Sequence, residues 1–109
     1  MVGPKYEGTI NAAGQVNLGC AAGSRVSSWV VQFESSSFSG SLTIKSAIQD
    51  SDYTRLAVGY KDFVTGTAST AAITGNALVL VDSSGVDVQL DCTAYTSGSL
   101  TYKAVPLVG

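Results

Sequence analysis

Strict alternation of apolar and polar residues in short runs constrains this chain more than any other feature. In residues 86–93, Val86, Val88, Leu90 and Cys92 alternate with Asp87, Gln89, Asp91 and Thr93. Successive side chains of a strand point to opposite faces, so this run lays its apolar groups on a core and its polar groups outside. Residues 15–20 repeat the pattern with Val16, Leu18 and Cys20 on one face. Residues 26–34 set Trp29, Val31 and Phe33 against Ser28, Val30, Gln32 and Glu34, and residues 41–47 set Leu42 and Ile44 against Thr43 and Lys45. Residues 99–105 close the series, with Leu100, Tyr102 and Ala104 opposed to Thr101 and Lys103. Residues 53–60, carrying Leu56 and Val58, make a further strand candidate.

Turn formers separate these runs: Ala13-Gly14, Phe38-Ser39-Gly40, Thr74-Gly75-Asn76, Ser84-Gly85 and Ser97-Gly98. Strands recurring every 8–12 residues or so between Gly-rich turns predict an all-β domain. The expected architecture is a two-sheet antiparallel β-sandwich, jelly-roll or immunoglobulin-like, of about seven to nine short strands. The polar link 35–40 predicts a hairpin between its flanking strands. Residues 65–74, rich in Thr and Ala, read as a long loop or a weak edge strand. Ala77-Leu78-Val79-Leu80-Val81 is apolar on both faces, which predicts cover on both, by a second sheet on one side and a partner subunit on the other.

A chain of 109 residues has room for one domain over 1–109, with 1–5 and 105–109 as interaction tails. Hydrophobic residues, at 45%, suffice for a core and argue against disorder. Charged residues, at 13%, run at half the usual share of about 25%. Ser and Thr take their place, in clusters such as Ser35-Ser36-Ser37 and Ser83-Ser84. A surface so poor in charge suits a protein covered by neighbours. The net charge is −2 with no Lys/Arg run, so the basic footprint that nucleic acid requires is missing. No stretch approaches the ~20 apolar residues of a membrane-spanning helix. Residues 1–6 hold no apolar run of signal-peptide length, so the chain is expected to be a complete small gene product that stays where it is made.

Catalytic chemistry finds few participants. Without His, the usual general base and the serine triad lose their central member. Cys20 and Cys92 fall on core-facing positions, where thiols are inert; they are either buried thiols or a Cys20–Cys92 disulfide. Asp87 and Asp91 share a strand face but stand about 13 Å apart at strand rise, too far for an acid/base pair. Asp50 and Asp52 are the best cation candidates, although Asp in a turn more commonly bonds its own backbone. Tyr53, Tyr60 and Tyr95, near turns, could form a flat platform for a glycan, whereas Trp29 alternates with core residues and belongs inside. No cofactor is expected.

Several of these segments together resemble a known pattern. Trp29-Val30-Val31-Gln32-Phe33, Phe38-Ser39-Gly40-Ser41-Leu42-Thr43-Ile44 and Ser46 with Asp50-Ser51-Asp52-Tyr53 resemble small β-sandwich modules of tailed-bacteriophage virion proteins. Ser84-Gly85-Val86-Asp87-Val88 and Tyr95-Thr96-Ser97-Gly98-Ser99-Leu100-Thr101 resemble the closing strands of those modules, so the likeness runs from Val26 to Tyr102. The chain departs from that pattern where Asp-Gly and Trp are usual and Asp50-Ser51-Asp52-Tyr53 stands, and where Arg is usual and Asp87 stands. The resemblance implies a non-enzymatic role in the virion: capsid decoration, or a tail or fibre module. The implied partners are capsid or other virion proteins. The low charge, the two-sided apolar run 77–81 and the uncharged end of the chain add the expectation of a homo-oligomer or lattice-bound subunit, with Val79, Val81, Pro106, Leu107 and Val108 at the partner interface. The implied location is the virion, after synthesis in the host cytoplasm. A carbohydrate-binding module on the tyrosine platform is the alternative.

Overall fold

The alternating runs become strands. The computed structural model describes residues 6–18, 26–48, 53–84 and 86–108, and among these there is no helix. The strands are β1 (Tyr6–Ile10), β2 (Gly14–Asn17), β3 (Val26–Ile48), β4 (Leu56–Ala57), β5 (Tyr60–Asp62), β6 (Thr67–Ser69), β7 (Ala77–Asp82) and β8 (Val86–Val108). They pair antiparallel in the order β1-β8-β3-β7-β5-β6, with β2 also on β8 and β4 also on β3. The all-β antiparallel class stands. The expected division into two sheets is replaced by one continuous eight-stranded sheet, because β3 and β8, of 23 residues each, pair along nearly their whole lengths.

The polar link 35–40 does not reverse the chain, so the expected hairpin is absent. The first half of β3 pairs with the last half of β8 (Trp29 with Pro106, Phe33 with Tyr102), and its second half with the first half of β8 (Leu42 with Cys92, Ile44 with Leu90). Between the halves the pairing is irregular around Ser36–Ser39 and Ser41–Leu42, and it slips by one residue. An extra residue on one strand bends that strand and changes the parity of what it buries. The buried residues of β3 accordingly pass from Trp29, Val31 and Phe33 to Phe38, Leu42, Ile44 and Ser46, while the apolar residues that β8 buries are even-numbered on both sides of the bend.

Local contacts pin this bend. Ser37 and Gly98 both take positive φ (54° and 78°), and a Cβ on Gly98 would collide with the Ser37 carbonyl oxygen. The Ser35 amide donates to Asn76 Oδ1 at 2.7 Å and the Phe38 amide to Ser35 Oγ at 3.0 Å. The Tyr95 hydroxyl donates to the Gly98 carbonyl at 2.8 Å, with its ring 6.3 Å from that of Phe38.

Doubling at the bend gathers the inner faces of both halves into one core, including Trp29, Val31, Phe33, Val79 and Val81 from one and Leu42, Ile44, Val88 and Leu90 from the other. Full burial of one such side chain is worth about 1.5–3 kcal/mol relative to leaving it exposed. Trp29 is thus a core residue, as its alternation predicts. Residues 105–108 are not a free tail: they complete β8 against β3, and Pro106 is buried opposite Trp29. Pro106 lies past the last described β1 pair, Tyr6 with Ala104, at an edge position of the kind a strand proline tolerates. Residues 65–74 contain an edge strand, β6. Residues 53–60 are not one strand, since β4 spans two residues and Leu56 is exposed.

Candidate interaction face

The core positions of β3, β7 and β8 leave the intervening side chains pointing outward. Val30 sits between Leu80 on β7 and Val105 on β8; one pair along, Leu78 lies opposite Gln32, and one pair the other way, Leu107 lies opposite Ser28. Val30, Leu78, Leu80, Val105 and Leu107 form a half-buried apolar stripe across three neighbouring strands. Charges frame it: Glu34 and Lys103 towards the bend, Asp82 opposite Ser28, and Lys61 opposite Leu80. Lys103 lies 4.0 Å from Glu7 with both side chains well exposed, a pair of little energetic weight.

Beside the stripe a groove of about 860 Å³ opens between Ser28, Leu80 and Asp82 on β3 and β7 and the arm formed by the β5–β6 hairpin and the residues after it, through Tyr60, Ser69 and Ala71. The Tyr60 hydroxyl donates to the Ala71 carbonyl at 2.7 Å and holds the arm in place. The β5–β6 hairpin closes through the Gly66 amide on the Asp62 carbonyl (2.7 Å) and the Val64 amide on Asp62 Oδ1 (2.8 Å). Its tip is apolar and open: Val64 is 80% exposed and Phe63 40%. The Phe63 amide donates to the Leu78 carbonyl at 3.0 Å, which joins the tip to the stripe. An apolar centre with a groove and a charged rim is the anatomy of a protein–protein contact.

The residues expected to meet a partner are placed differently by the structure. Val79 and Val81 are fully buried in the chain's own core, because β7 turns its odd positions inward; Leu78 and Leu80 are the residues presented outward. Pro106 faces the core, Leu107 joins the outward stripe, and Val108 contributes its backbone pairing with Val26. Val30 and Val105, which the expectation omitted, complete the stripe. Their signal was an apolar residue at an outward position of an alternating run.

The tyrosine platform does not assemble. Tyr60 is buried with its hydroxyl engaged and Tyr95 is half-buried against Phe38, while Tyr53 is 76% exposed. Asp50, Asp52 and Cys20 lie outside the described residues. Cys92 is a buried free thiol, and burial pushes its pKa up, away from the reactive thiolate. Asp87 and Asp91 each face their own cation, Arg55 at 3.8 Å and Lys45 at 2.7 Å, an arrangement of ion pairs rather than of a carboxylate dyad.

No family model matches the sequence, and no curated protein is similar to it. Among solved structures, the SPBc2 prophage-derived protein YomS superposes with a TM-score of 0.63 over 95% of each chain, at 13% identity. The two share a fold. At that identity the likeness concerns the path of the backbone and carries no residue of the interaction face across.

Proposed function

We propose that this chain is a non-enzymatic structural protein of a phage particle, a subunit that decorates or cements the capsid through protein–protein contacts. The observation that carries the reading is the outward stripe of Val30, Leu78, Leu80, Val105 and Leu107, set beside a groove and framed by charges. A protein with 13% charged residues that still spends aliphatic side chains on an outward sheet face is built to have that face covered. The doubled-over sheet takes the place of the two-layer sandwich expected of such a module. The fold shared with a prophage-derived protein supports the phage setting. A non-enzymatic role is supported by the lack of His in the sequence, the buried Cys92 thiol and the separately paired Asp87 and Asp91.

The deciding experiment is immunogold labelling of particles released by the cells that carry the gene. Label distributed over heads supports capsid decoration, and label on tails or fibres moves the subunit there within the same structural class. Particles that carry no label while the protein accumulates free would refute the virion role. Self-association through the same stripe is expected, and sedimentation equilibrium of wild type against Leu80→Glu measures it.

A further inference from the structure

The far half of the sheet presents a different outward face. Register aligns Asn17, Gln89, Lys45 and Ala57 across β2, β8, β3 and β4, and next to that row Gln15, Asp91 and Thr43. Although Gln89 and Asp91 point away from the core, they are only 6% and 7% exposed. Gln89 Nε2 donates to Asn17 Oδ1 at 2.9 Å, and Lys45 Nζ donates to Asp91 Oδ2 at 2.7 Å. These bonds fix the floor of a polar pocket of about 250 Å³, lined by Gln15, Lys45, Tyr53, Thr54, Arg55 and Gln89. The pocket shares none of its lining with the groove beside the apolar stripe.

The chemistry of this lining restricts what it can hold. Among the described residues its two cations are matched by two carboxylates, Lys45 by Asp91 and Arg55 by Asp87, so it offers no excess charge to a phosphate or a carboxylate. The Arg55–Asp87 separation of 3.8 Å is too long for a charge-assisted hydrogen bond, and Arg55 Nε and Asp87 Oδ1 are buried without partners. Arg55 lines the pocket, and a guanidinium carries more N–H donors than its one long pair with Asp87 uses, so it can donate to a ligand hydroxyl. Gln15, exposed on β2, adds a planar amide with a donor and an acceptor side by side, a match for neighbouring hydroxyls, and Gln89 adds what its bond to Asn17 leaves. Tyr53, its side chain open to solvent, supplies a flat apolar surface at the mouth. The volume falls below the range of about 300–1,000 Å³ that drug-sized ligands occupy, so the site admits one small ring.

We propose that this pocket binds one unit of a neutral polyhydroxylated ligand, a hexopyranose carried on a glycan, with Tyr53 against the ring face and Gln15, Gln89 and Arg55 on the hydroxyls. It differs from the platform expected from sequence, since Tyr60 and Tyr95 take no part. The site is independent of the capsid-binding reading, because it uses another face and either can fail alone.

The test is an amide NMR titration of the intact chain with a panel of neutral hexoses and N-acetylhexosamines, with inorganic phosphate as a parallel arm. The expected result is saturable millimolar binding of at least one sugar, with shifts confined to the side-chain amides of Gln15 and Gln89, the Arg55 side chain and the backbone of residues 53–55. Tyr53→Ala, at an exposed position, is expected to fold normally and to weaken binding by roughly tenfold or more through loss of the ring surface. Tyr53→Phe is expected to retain binding. No saturable shift with any sugar overturns the proposal. So do phosphate binding in place of sugar, shifts mapping elsewhere, and a Tyr53→Ala variant that binds as well as wild type. Glycan-array binding by a variant that no single sugar titrates would contradict the one-ring site and likewise count against it.

Discussion

Replacing Gly98 by Ala isolates the device that doubles the sheet. Gly98 has φ 78°, a left-handed conformation that costs an L-residue roughly 1–2 kcal/mol. In addition, the new Cβ would overlap the Ser37 carbonyl oxygen and crowd the Phe38 Cα, both backbone atoms that a rotamer change cannot move. Relief requires β3 to shift at the point where its pairing with β8 is already irregular, at a typical overpacking cost of about 1–3 kcal/mol. The total expected loss is about 2–5 kcal/mol. Gly66 provides the internal control: its φ is 74°, yet nothing lies within 4 Å of where its Cβ would go. Gly66→Ala should therefore lose the conformational part alone, about 1–2 kcal/mol. Urea unfolding followed by Trp29 fluorescence measures both variants, and the difference between them reports the close approach of the two strands. For a chain of this size a further kcal/mol lowers Tm by roughly 4–8 °C, so thermal unfolding resolves the same contrast. Equal losses for Gly98→Ala and Gly66→Ala would mean that the strands do not meet there as described, and the account of the bend would fall.

The parity of β7 is tested by a neighbouring pair: Val81→Ser, in the core, is expected to cost about 3 kcal/mol, and Leu80→Ser, on the outward stripe, about 1 kcal/mol or less. Reversed values in chemical denaturation would place the wrong face inward. Lys45→Met leaves the buried Asp91 carboxylate without its cation and should cost about 1–3 kcal/mol, moderated by the partial exposure of the pair. The double variant Lys45→Met with Asp91→Leu should recover most of that loss in a double-mutant cycle, and no recovery would deny the coupling. Burial raises the pKa of Cys92 above that of an ordinary thiol and the pKa of Tyr102 above that of an ordinary phenol. A raised folded-state value means that the unfolded chain ionises first, so this stability is complete below about pH 9 and is lost as pH climbs through the folded values. Tyr102→Phe should flatten the upper part of that alkaline decline in pH-dependent unfolding, and an unchanged slope would count against the assignment.

Strand character was legible wherever one face is dry and the other polar. Residues 86–93 and 99–105 alternate because β8 has a core on one side, and Val88, Leu90, Leu100 and Ala104 are all fully buried as that pattern requires. What period-2 patterning cannot convey is where a strand ends. Residues 35–40 carry turn formers because Ser37 needs a positive φ and the strand must bend, and the same composition would equally serve a reversal. The inward turn of Val79 and Val81 was hidden for a related reason. In Ala77–Asp82 every residue before Asp82 is apolar, so composition shows that both faces are dry without saying which is the core. The choice is made by pairing, which aligns Val79 and Val81 with Val31 and Trp29. The polar pocket was hidden differently, since it needs side chains from β2, β3 and β8 brought level by register, and no short segment contains it.

The slip at the bend links the two faces. Because β3 changes parity there while β8 does not, apolar side chains stay inward on both halves as the sheet doubles over. The outward faces of the halves then lie on opposite sides of the core. One carries Val30, Leu80 and Leu107; the other carries Lys45, Gln89 and Asp91. A flat sheet with the same strands would leave both inner faces uncovered. A subunit seated on a particle by its apolar stripe would turn the Tyr53 pocket away from that particle, towards whatever the particle meets. Blocking the stripe and blocking the pocket should thus be separable: Leu80→Glu should abolish particle binding and spare sugar binding, and Tyr53→Ala should do the reverse. A variant of either kind that lost both while remaining folded would show that the two faces are not independent, which the doubled sheet does not allow.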